Sequence, residues 1–280
     1  MNNIIKKKID IFKNDGFVVF ENILDKKRLG KVEKNFKNIF YEKYSTNVVP
    51  DKIKWKSGRD PKNIPRSLCN VWKSDNDIAR IVCSEKISHI AAQLMNWNSV
   101  RLNQDSLIWL VPNAGCVNFH QDNPYQDWHL PGGVITCWIP ITDTEKKSGS
   151  LEYLVGSNKK GNSTRLKKFY SKNYRDTIKK YINKEDNEII ETMSLKAGSV
   201  VFHSGKTVHG SGFNKTKKDR ISLSIHFMNG NSKFHPTIKS PYFNHYKLYN
   251  TLRMEESFFP ITWSKKKNKI RFIDKYLIKS

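Results

Sequence analysis

The chain is short of cysteine, of long apolar runs and of acids. Its four cysteines, Cys69, Cys83, Cys116 and Cys137, form no CxxC pair. That argues against a zinc ribbon and a disulfide-stapled scaffold, and they are read as reduced, ordinary residues. The longest apolar run is about five residues, at 107–111, where a membrane span needs about twenty. The opening MNNIIKKKIDIF holds no apolar core of signal-peptide length, so a cytoplasmic protein without membrane attachment is expected. Only 26 acids stand against 50 bases, a net charge of +24. Ten of those bases are Arg and the rest are scattered Lys, amid much Ile and Asn, the bias that A+T-rich codons impose. Arg carries most base-specific readout, so nucleic acid is not the expected partner despite the charge.

What is present is ample material for a core: hydrophobic residues make up 38% of the chain and aromatics 12%, which excludes a disordered chain. Residues 25–42 place Leu29, Val32, Phe36, Ile39 and Phe40 at helical spacing, and residues 76–95 do the same with Ile78, Ile81, Val82, Ile90, Ala91 and Leu94. Two amphipathic helices are expected there, with a long loop over 43–74 between them. From Val100 the texture changes to short β-type runs: VRLNQDSLIWLV, GCVNFHQD, GVITCWIPI, SLEYLV, EIIETMSL, GSVVFHSG and DRISLSIHFM. Many short strands after two helices predict a mainly β fold, a sandwich or barrel with helices against one face. The chain 1–280 reads as one domain with its core at about 10–230, a polar insertion at 158–186 and an extension at 231–280 that ends in a final helix or a tail.

The chemistry concentrates in NFHQD at 118–122. At the end of a strand, His120 and Asp122 share a face because side chains alternate. Imidazole plus carboxylate is two thirds of a facial metal site, and His209 in VVFHSGKTVHGSG is the best second histidine. Two His and one carboxylate with three open positions suit non-haem Fe(II). An isolated HxD is common among ordinary residues, so the weight falls on Arg220, eleven residues after His209. Were 209–220 a hairpin centred between Asn214 and Lys215, Arg220 would face His209, at the ~5 Å Cβ separation of cross-strand neighbours. Its planar fork would suit the far carboxylate of a five-carbon diacid that chelates the metal by its keto-acid end. Alternation supports a pocket: Arg220, Ser222, Ser224 and His226 share one face, and Ile221, Leu223, Ile225 and Phe227 the other.

The runs HQDNPYQDW, GGVITCWIPITDTEKKSGSLEYLVGSNKKG and AGSVVFHSGKTVHGSGFNKTKKDRISLSIHF resemble the phytanoyl-CoA dioxygenase family of Fe(II)- and 2-oxoglutarate-dependent oxygenases. The resemblance covers about residues 10–230 and is strongest over 100–228. It implies a double-stranded β-helix, or jelly roll, with helices on the larger sheet, and Fe(II), 2-oxoglutarate and O2 as cofactors. It implies iron at His120, Asp122 and His209, and the far carboxylate of 2-oxoglutarate at Ser211 and Arg220. Gln121 and Trp138 match cosubstrate-pocket positions, Trp138 reading equally as a core aromatic. Where family members often carry a Lys before the HxD motif this chain has WLVPNAG, and Gln104 on the same strand is the candidate replacement. Arg66 in NIPRSLCN is a further candidate for the cosubstrate, while His129 and His203 read as loop and core residues. The implied reaction is hydroxylation of a small metabolite with release of succinate and CO2. Acyl-CoA 2-hydroxylation, or a non-catalytic or nucleic-acid-binding member of the fold, are the alternatives. Asp122 fills the position at which related halogenases bind chloride, and His226 stands where nucleic-acid dealkylases carry a second Arg.

Overall fold

The computed structural model describes residues 3–166, 169, 173–182, 189–266 and 271–277. In chain order the elements are α1 (Asn3–Asp15), β1 (Phe17–Phe20), α2 (Lys26–Phe40), β2 (Lys52–Ile53), β3 (Arg66–Cys69), α3 (Asn76–Val82), α4 (Glu85–Met95) and β4 (Ser99–Leu110). There follow β5 (Val117–His120), β6 (His129–Leu130), β7 (Ile135–Pro140), β8 (Leu151–Leu154), β9 (Ile190–Thr192), β10 (Val200–Ser204), β11 (His209–Ser211), β12 (Arg220–Asn229), β13 (Lys233–Phe234), β14 (Ile261–Ser264) and α5 (Asp274–Leu277). The fold is mainly β with flanking helices.

Two sheets carry the structure. The major one runs β1-β10-β7-β12-β4-β3-β2, with β14 also paired to β4; the minor one runs β5-β11-β8-β9. Period-two alternation decides what each face of the major sheet does. Ile135, Cys137 and Ile139 of β7, Val200 and Phe202 of β10, and Ile221, Leu223 and Ile225 of β12 pack with Ile9, Phe12, Leu29, Phe36 and Ile90 of the helices, forming the main core. The intervening residues, Trp138, Val201 and His203 among them, face the minor sheet.

The helix over 25–42 is Lys26–Phe40, started by the Asp25 carboxylate, which accepts the Lys27 N–H. The single helix expected over 76–95 is two. Asp75 caps α3 by accepting from Ile78 N, and Ser84 caps α4 by accepting from Ile87 N, so the chain restarts at a serine that a periodicity count passes over. The seven β-type runs each contain a strand; α1 and the short strands β1, β2, β3, β6, β13 and β14 went unread, β2 and β3 within what reads as a loop. The 158–186 insertion joins β8 to β9, and part of its described residues covers one side of the minor sheet. There Tyr174 and Ile178 pack on Phe119, Leu154 and Val208, and the remainder of that segment falls partly outside the described residues. The extension ends in the short helix α5, with residues 278–280 outside the description.

Candidate metal centre and its cavity

His209 pairs across the minor sheet with His120, which brings the two imidazoles to 4.4 Å between ring centroids. That closeness needs a glycine: a Cβ at Gly210 would stand 2.8 Å from the Val117 carbonyl oxygen and 3.1 Å from the Phe119 ring. Asp122 lies two residues beyond β5, and one of its carboxylate oxygens and one ring nitrogen from each imidazole all lie within 4.8 Å of one another. All three residues are buried.

Their hydrogen bonds prepare them to bind a cation. His120 Nδ1 donates to the Asn118 carbonyl (2.8 Å) and His209 Nδ1 to the Thr207 carbonyl (3.0 Å). A carbonyl only accepts, so both Nδ1 atoms carry the proton and both Nε2 lone pairs face the gap. Asp122 divides its two oxygens. Oδ2 accepts from Thr136 Oγ1 (2.6 Å) and His203 Nε2 (3.1 Å), leaving Oδ1 towards His120 Nε2 (3.7 Å) and His209 Nε2 (3.8 Å). His203 Nδ1 in turn accepts from the buried Tyr153 hydroxyl at 2.8 Å. Burial, with His209 adding to it, pushes His120 down to about 3 and His203 down to about 4. Burial alone would raise the Asp122 carboxyl, but His209, His226 and His203 outweigh it and hold the group well below the usual range. A neutral His120 and an ionised Asp122 are protonation states that suit a divalent metal.

The cavity beside these atoms has a volume of about 320 Å³. Arg220 lines it from β12, buried to 3% exposure. Its guanidinium donates to Ser222 Oγ (2.5 Å) and the Gly149 carbonyl (3.1 Å), and Nε has no partner. No carboxylate pairs with it among the described residues, and burial lowers it to about 9. An uncompensated buried cation is costly, so its place in a cavity wall calls for an anion from outside. Gly149 adopts φ +72°, and a Cβ there would meet the Gly212 carbonyl oxygen at 2.7 Å; the turn delivering the carbonyl to Arg220 therefore requires glycine.

The expected hairpin over 209–220 is not formed. β11 lies in the minor sheet between β5 and β8, whereas β12 lies in the major sheet between β4 and β7. The Asn214 side chain turns the chain by accepting from Thr216 and donating to the Leu110 and Lys218 carbonyls, so the connection crosses from one sheet to the other. His209 and Arg220 therefore line the cavity from different sheets.

Ser211, Trp138 and Gln104 line the same cavity. Gln121 does not: alternation turns it away from His120, and its amide bonds the Gly161 and Lys206 carbonyls and the Ser163 N–H, tying down the insertion. Arg66 is among the residues that line the cavity, but its guanidinium is engaged elsewhere. It pairs with Trp109, on the face of the major sheet that the helices cover, and its guanidinium lies 3.8 Å from both the Trp55 and Trp109 rings. His129 is fully buried in β6 rather than in a loop. His203 is in the core, yet it also bonds Asp122, a role that a partner 81 residues away in sequence conceals. Thr136 and Tyr153 stand in the runs that carry the resemblance but offer no signal of their own, Gln126 and Trp128 lie in the 123–133 segment expected to shape substrate choice, and Lys52 and Tyr242 stand in no motif.

Fold and donor set together define an Fe(II)/2-oxoglutarate-dependent dioxygenase. The chain belongs to the phytanoyl-CoA dioxygenase (PhyH) family, whose model matches residues 12–222. An ectoine dioxygenase of Bordetella bronchiseptica is 22% identical over 238 residues, covering 77% of this chain and 72% of that protein. The Fe(II)/2-oxoglutarate-dependent dioxygenase nvfF of Aspergillus novofumigatus is 29% identical, covering 49% and 39%. Among solved structures, the carbocyclase SnoK from nogalamycin biosynthesis superposes with a TM-score of 0.69 at 18% identity, covering 91% of this chain and 95% of its own. EctD from S. alaskensis with 2-oxoglutarate and 5-hydroxyectoine superposes at 0.68 and 15% identity, covering 91% and 89%.

Proposed function

We propose that the chain is a small-molecule hydroxylase built on a double-stranded β-helix, with Fe(II) held by His120 Nε2, Asp122 Oδ1 and His209 Nε2. The observation that carries the reading is Arg220, a buried guanidinium without a counter-charge among the described residues, set in the wall of the cavity that also holds the three metal-ligand atoms. Its two-pronged donor set fits the far carboxylate of 2-oxoglutarate, with Ser211 beside it and Trp138 forming part of the wall. Bound Fe(II) and 2-oxoglutarate supply oxidation of a substrate C–H by O2, 2-oxoglutarate leaving as succinate and CO2. The protein's own part is orientation and exclusion of water. Thr136 and His203 keep Asp122 Oδ2 occupied, so Asp122 would offer the metal its other oxygen alone. The Phe169 and Tyr125 rings stand 4.7 and 6.3 Å from the His120 ring and shield that flank.

Anaerobic titration of the protein with Fe(II) and then 2-oxoglutarate tests this. A weak visible charge-transfer band is expected on addition of 2-oxoglutarate, followed by stoichiometric succinate on exposure to O2. A folded protein that gives neither contradicts the assignment.

A further inference from the structure

The part of the cavity not claimed by metal or cosubstrate has its own chemistry. Gln126 is buried to 5% exposure, and its Oε1 accepts from both Trp128 Nε1 (3.0 Å) and Asn103 Nδ2 (3.0 Å). An indole N–H only donates, so the oxygen must face Trp128 and the amide NH2 must point the other way. Among the described residues that NH2 has no hydrogen-bond partner, and Gln126 lines the cavity. The orientation is built rather than incidental. A register shift between His226 and Phe227 disturbs the β12–β4 ladder just where Asn103 lies, and the Asn103 amide there reaches Gln126 and Met228 rather than the helices.

Lys52 and Lys54 also line the cavity. Two residues apart on an extended segment, they project to one side, and Lys52 pairs with Cys69 opposite. Lys52 Nζ donates to the Tyr242 hydroxyl at 2.7 Å, and neither lysine forms an ion pair among the described residues. The neighbouring acid, Asp51, cannot neutralise them, because Lys73 (2.6 Å), Asn70 (2.7 Å) and Tyr246 (2.7 Å) already engage it. The only carboxylate in the described lining is Asp122, which the metal claims. Donors and positive charge are thus offered to a ligand, with no acid to receive a cationic one.

We propose, resting on the oxygenase reading above, that the substrate is an anion, a carboxylate or a phosphate ester. Its charged end is received by Lys52, Lys54 and the Gln126 amide, and its carbon chain runs past Trp128 towards the metal. These residues are specificity determinants of the same site that Arg220 serves for the cosubstrate.

The experiment uses four probes of one chain length, hexanoate, hexyl phosphate, hexanol and hexylamine, added anaerobically to the Fe(II)- and 2-oxoglutarate-loaded protein. Binding is read from perturbation of the visible band. At least one of the two anions is expected to bind about tenfold or more tighter than hexanol, the discrimination that one charge-assisted contact provides. The stronger of the two tells carboxylate from phosphate. In the Lys52→Glu/Lys54→Glu double variant the order is expected to reverse in favour of hexylamine, and Gln126→Leu should weaken the anion while leaving hexanol unchanged. Equal affinity for all four probes, none detectable included, or a preference for the amine in the wild-type protein, overturns the inference while the band itself stands. Failure of the band to form in wild type removes the oxygenase reading and this inference with it.

Discussion

The two ends of the cavity are built on opposite principles. At the metal end the three donor residues are held by hydrogen bonds: both imidazole Nδ1 atoms to a carbonyl, Asp122 Oδ2 to Thr136 and His203, and His203 to Tyr153. At the mouth, Lys54 and the Gln126 NH2 are left without partners among the described residues. The first end is rigid and complete except for its cation; the second waits for a ligand. The difference also separates what a chemistry needs always from what one substrate needs. A ligand displaced by about an ångström costs turnover outright, whereas a mouth residue tunes affinity.

The largest expected effect therefore lies at the metal end. His120→Ala and His209→Ala each delete one of three ligands, and both should abolish succinate formation and weaken Fe(II) by more than ~10²-fold. Isothermal titration under anaerobic conditions checks the affinity. Near-normal succinate from either variant would break the comparison at its root. Asp105 and Asp127 are no replacements for Asp122. The first is buried among backbone N–H groups of residues 71 and 72, and the second pairs with Arg165.

Arg220→Ala comes next. Removing one partner of a buried charge pair costs ~3–5 kcal/mol, so 2-oxoglutarate should weaken by ~10²-fold or more with Fe(II) affinity nearly unchanged. Arg220→Lys should recover only part, since a point charge cannot make two parallel hydrogen bonds. Equal 2-oxoglutarate affinity in wild type and Arg220→Ala, measured with iron present and O2 absent, would leave the buried guanidinium unexplained.

A smaller effect tests whether the committed hydrogen bonds matter. Thr136→Val removes one donor to Asp122 Oδ2 while keeping its volume, and outer contacts of this kind are worth ~10–100-fold in metal affinity. Weaker Fe(II) binding with a shifted charge-transfer band is expected, and an unchanged band would show that His203 suffices alone.

The same contrast explains what could be read in the sequence. His120, Asp122, His209 and the polar face of β12 lie in short segments whose period-two pattern carries the geometry. What the pattern cannot give is which sheet a strand joins: 209–220 reads as a hairpin, yet Asn214 sends the chain across the cavity. Nor does adjacency in a motif imply a shared pocket. Gln121 lies between two ligands and, by the alternation that unites them, faces away. The mouth draws on residues 52–54, 126–128 and 240–243, three segments with no common pattern, and Lys73, Tyr246 and Asp51 help fasten the C-terminal extension beside β2.

The smallest effect on the site, and a control for all pH work on it, concerns Asp105, on the helix-covered face of β4 between Gln104 and Ser106. Burial raises its carboxyl from 3.8 to about 7, the Val71 and Trp72 N–H groups opposing that rise only in part. A group whose proton is held more tightly in the folded state stabilises most below its unfolded pKa and loses that contribution as pH rises through the folded one. The window therefore runs from about pH 4 to about pH 7. Compared with Asp105→Asn, which carries no titrating proton there, wild type should lose up to a few kcal/mol of stability between pH 4.5 and 8, read from urea midpoints of the metal-free protein. A difference between the two proteins that stays constant with pH would show that Asp105 is ionised throughout. The pH response of the fold would then have to be sought in the buried histidines, His120 and His203, whose depressed values push stability in the opposite direction, downward as pH falls below about 6.5.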